Sequence, residues 1–282
     1  MVCTHYDWSP GLKISMTQNT QHYLAGLWEG DGHADRKFQK YIAITFHRKD
    51  YPLVRLLQAH LGGTVRHKQK ENALVLTLRK AEALQLFFRF IQNKLRTPKH
   101  HDLQAYAYTT GIRDTSTLFS NGWLAGFLDA DSGFKIRYTH ERRNPITKRI
   151  IVKHRIALSL VIEQRQHHPI TQESYEPIMT ELASTFGVPL KVRKHGKKEY
   201  WYVEISSLDK IKTIIDYLDR YPLLTSKFLD YQDWKKAYFM LQRKEHLTKE
   251  GKAKLLALKK GMNRQRILFN WSHLQDLRLC FA

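Results

Sequence analysis

Residues 24–32 read LAGLWEGDG, and residues 124–132 read LAGFLDADS. Each stretch carries small residues four apart: Gly26 and Gly30 in the first, Gly126 and Ala130 in the second. Each closes on a pair of carboxylates, Glu29 and Asp31, then Asp129 and Asp131. Small residues at i and i+4 share a helix face and let two backbones approach closely. The spacing therefore predicts two helices packed on one another, with Asp31 and Asp131 side by side at their C-terminal ends. Such an end carries partial negative charge and favours cations, and facing carboxylates repel. A divalent metal answers both conflicts. A site of few carboxylate oxygens suits Mg²⁺, which completes its shell with water and phosphate. Glu29 and Asp129 read either as solvated helix-end acids or as acceptors for backbone N–H groups.

Corresponding motif positions lie 100 residues apart in a chain of 282. A repeat at that spacing predicts two similar halves, residues 1–110 and 121–282, joined by a linker at 111–120, with a basic helix at the end of the second. In the first half, Tyr41–His47 alternates as a strand, Tyr51–Leu61 is helical, Thr64–Lys68 and Ala73–Arg79 form a hairpin, and Ala81–Leu95 is a third helix. The second half repeats the order. Strands run from Phe134 and along 153–162, separated by a polar turn at 141–148. A helix covers 171–186, strands follow around 190–195 and 200–205, and a helix lies at 208–220. Both halves read αββαββα, an α+β fold. From Leu247 the tail is basic and helical; it and the aromatics Trp234–Tyr238 read as a packing helix with a solvated face or as phosphate contacts.

Lys and Arg number 47 against 26 Asp and Glu, a net charge of +21. Such a field attracts polyanions, nucleic acid first. The longest apolar runs, Ile156–Ile162 and Leu84–Ile91, fall short of the ~18 residues of a membrane span, so no membrane partner is expected. The start, MVCTHYDWSP, has no signal-peptide core and no transit-peptide pattern. Cys3 and Cys280 have no partner spacing and read as buried or idle thiols. Candidate nucleic-acid contacts, most of them basic, cluster on the predicted strands: Lys37, Gln39, Tyr41, Arg66, Lys68 and Arg79 in the first half, and Lys135, Arg137, Lys153, Arg155, Lys191, Arg193 and Tyr202 in the second. With few acids between them, they predict a basic concave sheet surface for nucleic acid.

The two motifs, at domain spacing and each followed by matching strands, resemble the LAGLIDADG homing endonucleases in their single-chain, two-motif form. The resemblance runs from about Thr20 to Arg266. It implies two pseudo-symmetric αββαββα halves, motif helices packed at the centre, and saddle-shaped antiparallel sheets laid on DNA. It carries metal binding onto Asp31 and Asp131, with the adjoining Gly30 and Ala130. It assigns a polarising lysine to RTPKHHDL, Lys99, and to YPLLTSKFLD, Lys227. A water-positioning side chain near the end of the second strand falls on His47 in ITFHRKD and Gln164 in VIEQRQ. Two departures stand out: Glu29 replaces an aspartate, and Ser132 replaces a glycine, so that Gly133 is expected to take up any left-handed backbone at that helix end.

The resemblance implies a monomeric, site-specific DNA endonuclease that uses Mg²⁺, with Ca²⁺ as a non-catalytic substitute, to break both strands of double-stranded DNA. Unequal halves imply an asymmetric target of roughly 20 bp, about one helical turn per half. The alternative is an intron RNA maturase that binds its own intron RNA, with or without cleavage. An organellar location follows from the same resemblance, the mitochondrion ahead of the chloroplast.

Overall fold

The structure is a computed structural model, and it describes residues 16–104, 106 and 112–275. Cys3 and Cys280 lie outside the described residues.

The first half runs α1 (Gln18–Asp31), β1 (Gly32–Ala34), β2 (Ile42–His47), α2 (Tyr51–Leu61), β3 (Thr64–Lys68), β4 (Ala73–Leu78) and α3 (Ala81–Ile91). The second runs α4 (Trp123–Asp131), β5 (Ser132–Thr139), β6 (Arg142–Arg143), β7 (Ile150–Val152), β8 (Arg155–Arg165), α5 (Glu176–Thr185), β9 (Lys191–His195), β10 (Lys198–Ile205) and α6 (Leu208–Arg220). Two further helices follow, α7 (Lys227–Gln242) and α8 (Lys249–Gly261). The first half's sheet has the order β1-β2-β4-β3, and the second repeats it as β5-β8-β10-β9. All pairings are antiparallel. The fold is α+β, as the repeat predicted.

Alternation along the strands sorts the faces. Ile42, Ile44 and Phe46 of β2 are buried, as are Leu158, Leu160 and Ile162 of β8. These faces rest on α2 in the first half and on α5, α6 and α7 in the second. The buried side chains of both halves form one continuous core, with Trp28, Trp123 and Trp234 fully enclosed. Among the described residues no helix is long and apolar enough to cross a membrane.

Several elements differ from expectation. The first strand of the first half has only three residues, so Lys37 and Gln39 sit on the turn that follows it rather than on a strand. Asp35 makes that turn by accepting from the N–H groups of Phe38 and Lys40, and Gln39 takes a left-handed φ of 53°. Helix α3 stops at Ile91, short of Leu95. Helix α5 begins at Glu176, because segment 166–175 folds back through Tyr175 N–H to Gln166 C=O. The polar turn at 141–148 carries a small ribbon, β6 with β7, and Lys153 lies in the gap between β7 and β8. In α7, Trp234 and Tyr238 pack in the core, which settles that pair as packing residues. Ser132 ends its helix with an extended φ of −122°, and Gly133 has no left-handed φ. Both motif helices pass straight into a strand, so neither end needs left-handed backbone; Gly32 is required instead by packing, because a β-carbon there would stand 2.3 Å from the Trp28 carbonyl oxygen.

Candidate active site

Helices α1 and α4 meet backbone to backbone. A β-carbon on Gly26 would stand 2.0 Å from the Trp123 carbonyl oxygen, and one on Gly126 would stand 2.0 Å from that of Tyr23. At the end of the crossing, a β-carbon on Gly30 would lie 2.1 Å from Ala130 Cβ and 3.3 Å from Asp131 Oδ2. The small residues thus bring the two helix ends together, close enough for the charge of Asp131 to act on Asp31.

The first acid of each motif is buried and fully engaged. Glu29 accepts from Arg96 N–H at 3.0 Å, Thr97 N–H at 2.5 Å, Thr97 Oγ1 at 2.7 Å and Trp123 Nε1 at 2.7 Å. Asp129 accepts from Tyr23 Oη at 2.5 Å, Leu224 N–H at 2.6 Å, Thr225 N–H at 3.1 Å and Thr225 Oγ1 at 2.5 Å. These acids are backbone acceptors, and the solvated alternative fails. Burial pushes the Glu29 carboxyl up, while its four donors pull the other way. Each acid also takes a donor from the opposite motif helix, Trp123 or Tyr23, which cross-links the pair.

The same bonds aim the lysines. Thr97 and Thr225 each stand two residues before a lysine, and each hydroxyl accepts that lysine's N–H, at 3.2 Å and 3.1 Å. Lys99 Nζ then donates to the Gly30 carbonyl at 2.8 Å. Lys227 Nζ donates to Leu128 at 2.9 Å, Ala130 at 3.4 Å and Ser132 at 2.7 Å. Each ammonium therefore sits at a helix C-terminus, where the macrodipole favours it. Burial lowers both lysine pKa values, and the charges of Asp31 and Asp131 oppose that shift. The carbonyls of Gly30 and Ala130, expected beside a metal, already accept from these lysines, which leaves each one lone pair. The two threonines were missed in the sequence. Their one signal is Thr-x-Lys recurring after α3 and after α6.

Although Asp31 keeps contact with solvent, partial loss of its water and then the charge of Asp131 push its carboxyl up to about 6. Burial raises Asp131 as well, against Lys99 and Lys227. Two carboxylates held near each other and reluctant to ionise, with lysines supplying only part of the balancing charge, form an oxygen donor set that fits a divalent cation.

Gln164 donates from Nε2 to Asp131 Oδ2 at 2.8 Å. His47 does not mirror it. Ser132 pairs with Ile162, and Gly32 pairs with Ile44, so the counterpart of Gln164 is Phe46, which is buried. His47 lies on the opposite face, with Nδ1 accepting from Lys49 N–H at 3.1 Å and Nε2 3.4 Å from Asn72 Nδ2. A one-residue shift exchanges strand faces, and the adjacent polar residue drew the reading off register.

The solvent faces of the sheets carry the expected cations. Arg66 and Lys68 lie on β3, Lys135 and Arg137 on β5, Arg155 on β8, and Lys191 and Arg193 on β9. Arg79 covers the Tyr41 ring at 4.8 Å. Acids are more involved than expected. Glu163 pairs with Arg193 at 3.2 Å and His195 at 2.7 Å, and Glu204 pairs with Arg137 at 2.7 Å. Tyr202 is buried under Arg193, whose guanidinium lies 3.8 Å above its ring, so it supports Arg193 rather than presenting its own face.

A protein-family model described as LAGLIDADG endonuclease matches residues 124–238. The "uncharacterized cox1 intron-2 37.2 kDa protein" of Schizosaccharomyces pombe is 30% identical over 254 residues, covering 85% of this chain and 72% of its own length. The chain belongs to the LAGLIDADG endonuclease family. The intron-encoded DNA endonuclease aI3 of Saccharomyces cerevisiae is 27% identical over 303 residues, covering 91% of this chain and 72% of its own. The crystal structure of the I-LtrWI LAGLIDADG homing endonuclease bound to target DNA superposes with a TM-score of 0.63 at 19% identity, across 89% of this chain and 99% of that one. This likeness shows the LAGLIDADG fold over nearly the whole length.

Proposed function

We propose that this chain is a mitochondrial, intron-encoded homing endonuclease that works as a monomer and breaks both strands of a long, asymmetric DNA target in the presence of Mg²⁺. The observation that carries the reading is the nearness of Asp31 and Asp131 at the helix crossing, with each motif's first acid holding a threonine that positions a neighbouring lysine. Relatives named for cox1 and ND4 introns support the genetic setting. One solved relative, I-SmaMI, is described with uncleaved target and calcium ions, which supports Ca²⁺ as a non-catalytic substitute.

Asp31 and Asp131 would hold the metal, and Mg²⁺ bound there would supply an activated water and a stabilised leaving oxygen for phosphodiester hydrolysis. The protein's own residues do the rest. Lys99 and Lys227 add positive charge beside the phosphates, where charge develops. Gln164 fixes the orientation of Asp131. The sheet cations contact phosphates, and their neighbours on the strands read base edges.

Selection against a randomised duplex library in Mg²⁺, read by cleavage, tests the proposal. A discrete asymmetric site is expected, with no cutting in EDTA, and binding without cutting in Asp31→Asn and Asp131→Asn. Cleavage that persists in EDTA or in both variants refutes it.

A further inference from the structure

We infer that His100, His101 and Glu173 form a second metal site, of the class that takes Zn²⁺, bridging the two halves and separate from the paired aspartates. The histidines follow Lys99 in a short 3-10 helix, Pro98–Leu103. Glu173 comes from segment 166–175 of the other half. One ligand atom from each residue lies within 4.8 Å of the other two. The tight turn brings neighbouring imidazoles together, with ring centroids 4.0 Å apart. All three residues are half-buried. His101 sets Nε2 against the Glu173 carboxylate, and its Nδ1 is buried with no partner among the described residues.

Two imidazoles and a carboxylate form a donor set that suits zinc with a fourth position for water, whereas magnesium prefers oxygen alone. His100 sets Nδ1 3.1 Å from the Thr97 carbonyl oxygen, and when Nδ1 donates there Nε2 keeps the ring's lone pair for a metal. The turn and the segment are already fastened: Asp102 accepts from His168 Nε2 at 3.1 Å and from Arg36 at 2.8 Å. The Glu173 carboxylate already draws one cation to this place. Arg113 Nη2 lies 2.5 Å from Glu173 Oε1 and 3.1 Å from His100 Nδ1. Its side chain is 38% exposed, so it can turn out to solvent and yield its place. Arginine and ion compete for the same carboxylate.

That competition gives the test a signed readout. The full chain, held in excess Mg²⁺ to fill the aspartates, is titrated with Zn²⁺ against a chromophoric chelator, and Co²⁺ is added separately to record its visible absorption. About one Zn²⁺ per chain is expected, with a Zn²⁺-dependent rise in Tm. His101→Ala and Glu173→Gln should each weaken binding by more than about ten-fold. Arg113→Gln should tighten it, a change that misfolding cannot produce. The Asp31→Asn/Asp131→Asn double variant should bind Zn²⁺ like the parent chain, so loss of DNA cleavage leaves this result untouched. The inference is overturned by absence of the Tm rise and cobalt band, by unchanged binding in both His101→Ala and Glu173→Gln, or by loss of binding in the double aspartate variant.

Discussion

The carboxyl of Asp31 holds its proton more tightly in the folded chain than in the unfolded one, because its pKa rises from 3.8 to about 6. The folded state gains from this at low pH. That advantage is lost as pH climbs from the ordinary carboxylate value through about 6, and at neutral pH an ionisation penalty remains. Asp31→Asn cannot ionise, so it should stabilise the metal-free protein at neutral pH by about 1 kcal/mol, a figure reduced for the side chain's contact with solvent. The gain should shrink on acidification. Thermal unfolding in EDTA across that pH window measures it, and an asparagine variant less stable than the parent at neutral pH would contradict the electrostatic account. Both aspartates were legible in the sequence because the motif repeats. The lysines were legible through the strings around them. Thr97 was not, because its importance lies in Glu29, 68 positions away, and a lone threonine shows nothing of that acceptor.

Helix α1 against α4 is the element pair on which the site depends, and its tolerance is measurable glycine by glycine. A side chain at Gly26 meets a carbonyl oxygen 2.0 Å away, whereas a β-carbon at Gly133 meets nothing within 4 Å. Gly26→Val should therefore cost about 3 kcal/mol or more, while Gly133→Ala should stay within about 0.5 kcal/mol. Denaturant midpoints for the two variants separate them, and equal losses would show that the crossing is looser than the contacts imply. The same closeness made this packing readable in advance, since backbone contact demands small residues at fixed spacing. Strand β1 was not readable, because three residues show no alternation and its place comes from pairing Gly32 with Ile44. Helix α7 was obscured for a different reason. It buries Tyr231, Trp234, Ala237, Tyr238 and Leu241 on one face, but the buried Asp230 falls within that stripe and the exposed Phe239 stands outside it, so the apolar pattern is blurred. At β2, pairing register decided between Phe46 and His47, and register is a property of two strands together.

The whole molecule carries a net charge of +21, but its sheets do not present that charge evenly. Among the described residues Arg66 has no ion pair, whereas Glu163 engages both Arg193 and His195. Binding to duplex DNA releases counterions, and the logarithm of affinity falls with the logarithm of salt by about 0.9 per phosphate neutralised. Arg66→Ala should flatten that slope by about one unit while leaving sequence preference nearly intact, the pattern of a lost phosphate contact. Glu163→Gln should act in the opposite sense. It frees Arg193, and His195 when protonated, steepening the slope by between about one and two units and raising affinity for unrelated DNA. If this strand faces bases as proposed, discrimination should fall, because an acid there repels phosphate and accepts from cytosine, and glutamine does neither in the same way. Filter binding of target and scrambled duplexes over a salt series reads both variants together. If Glu163→Gln leaves the slope where it was, the arginine and histidine beside it do not reach phosphate, and the second sheet must hold DNA through Lys135, Arg155 and Lys191 instead.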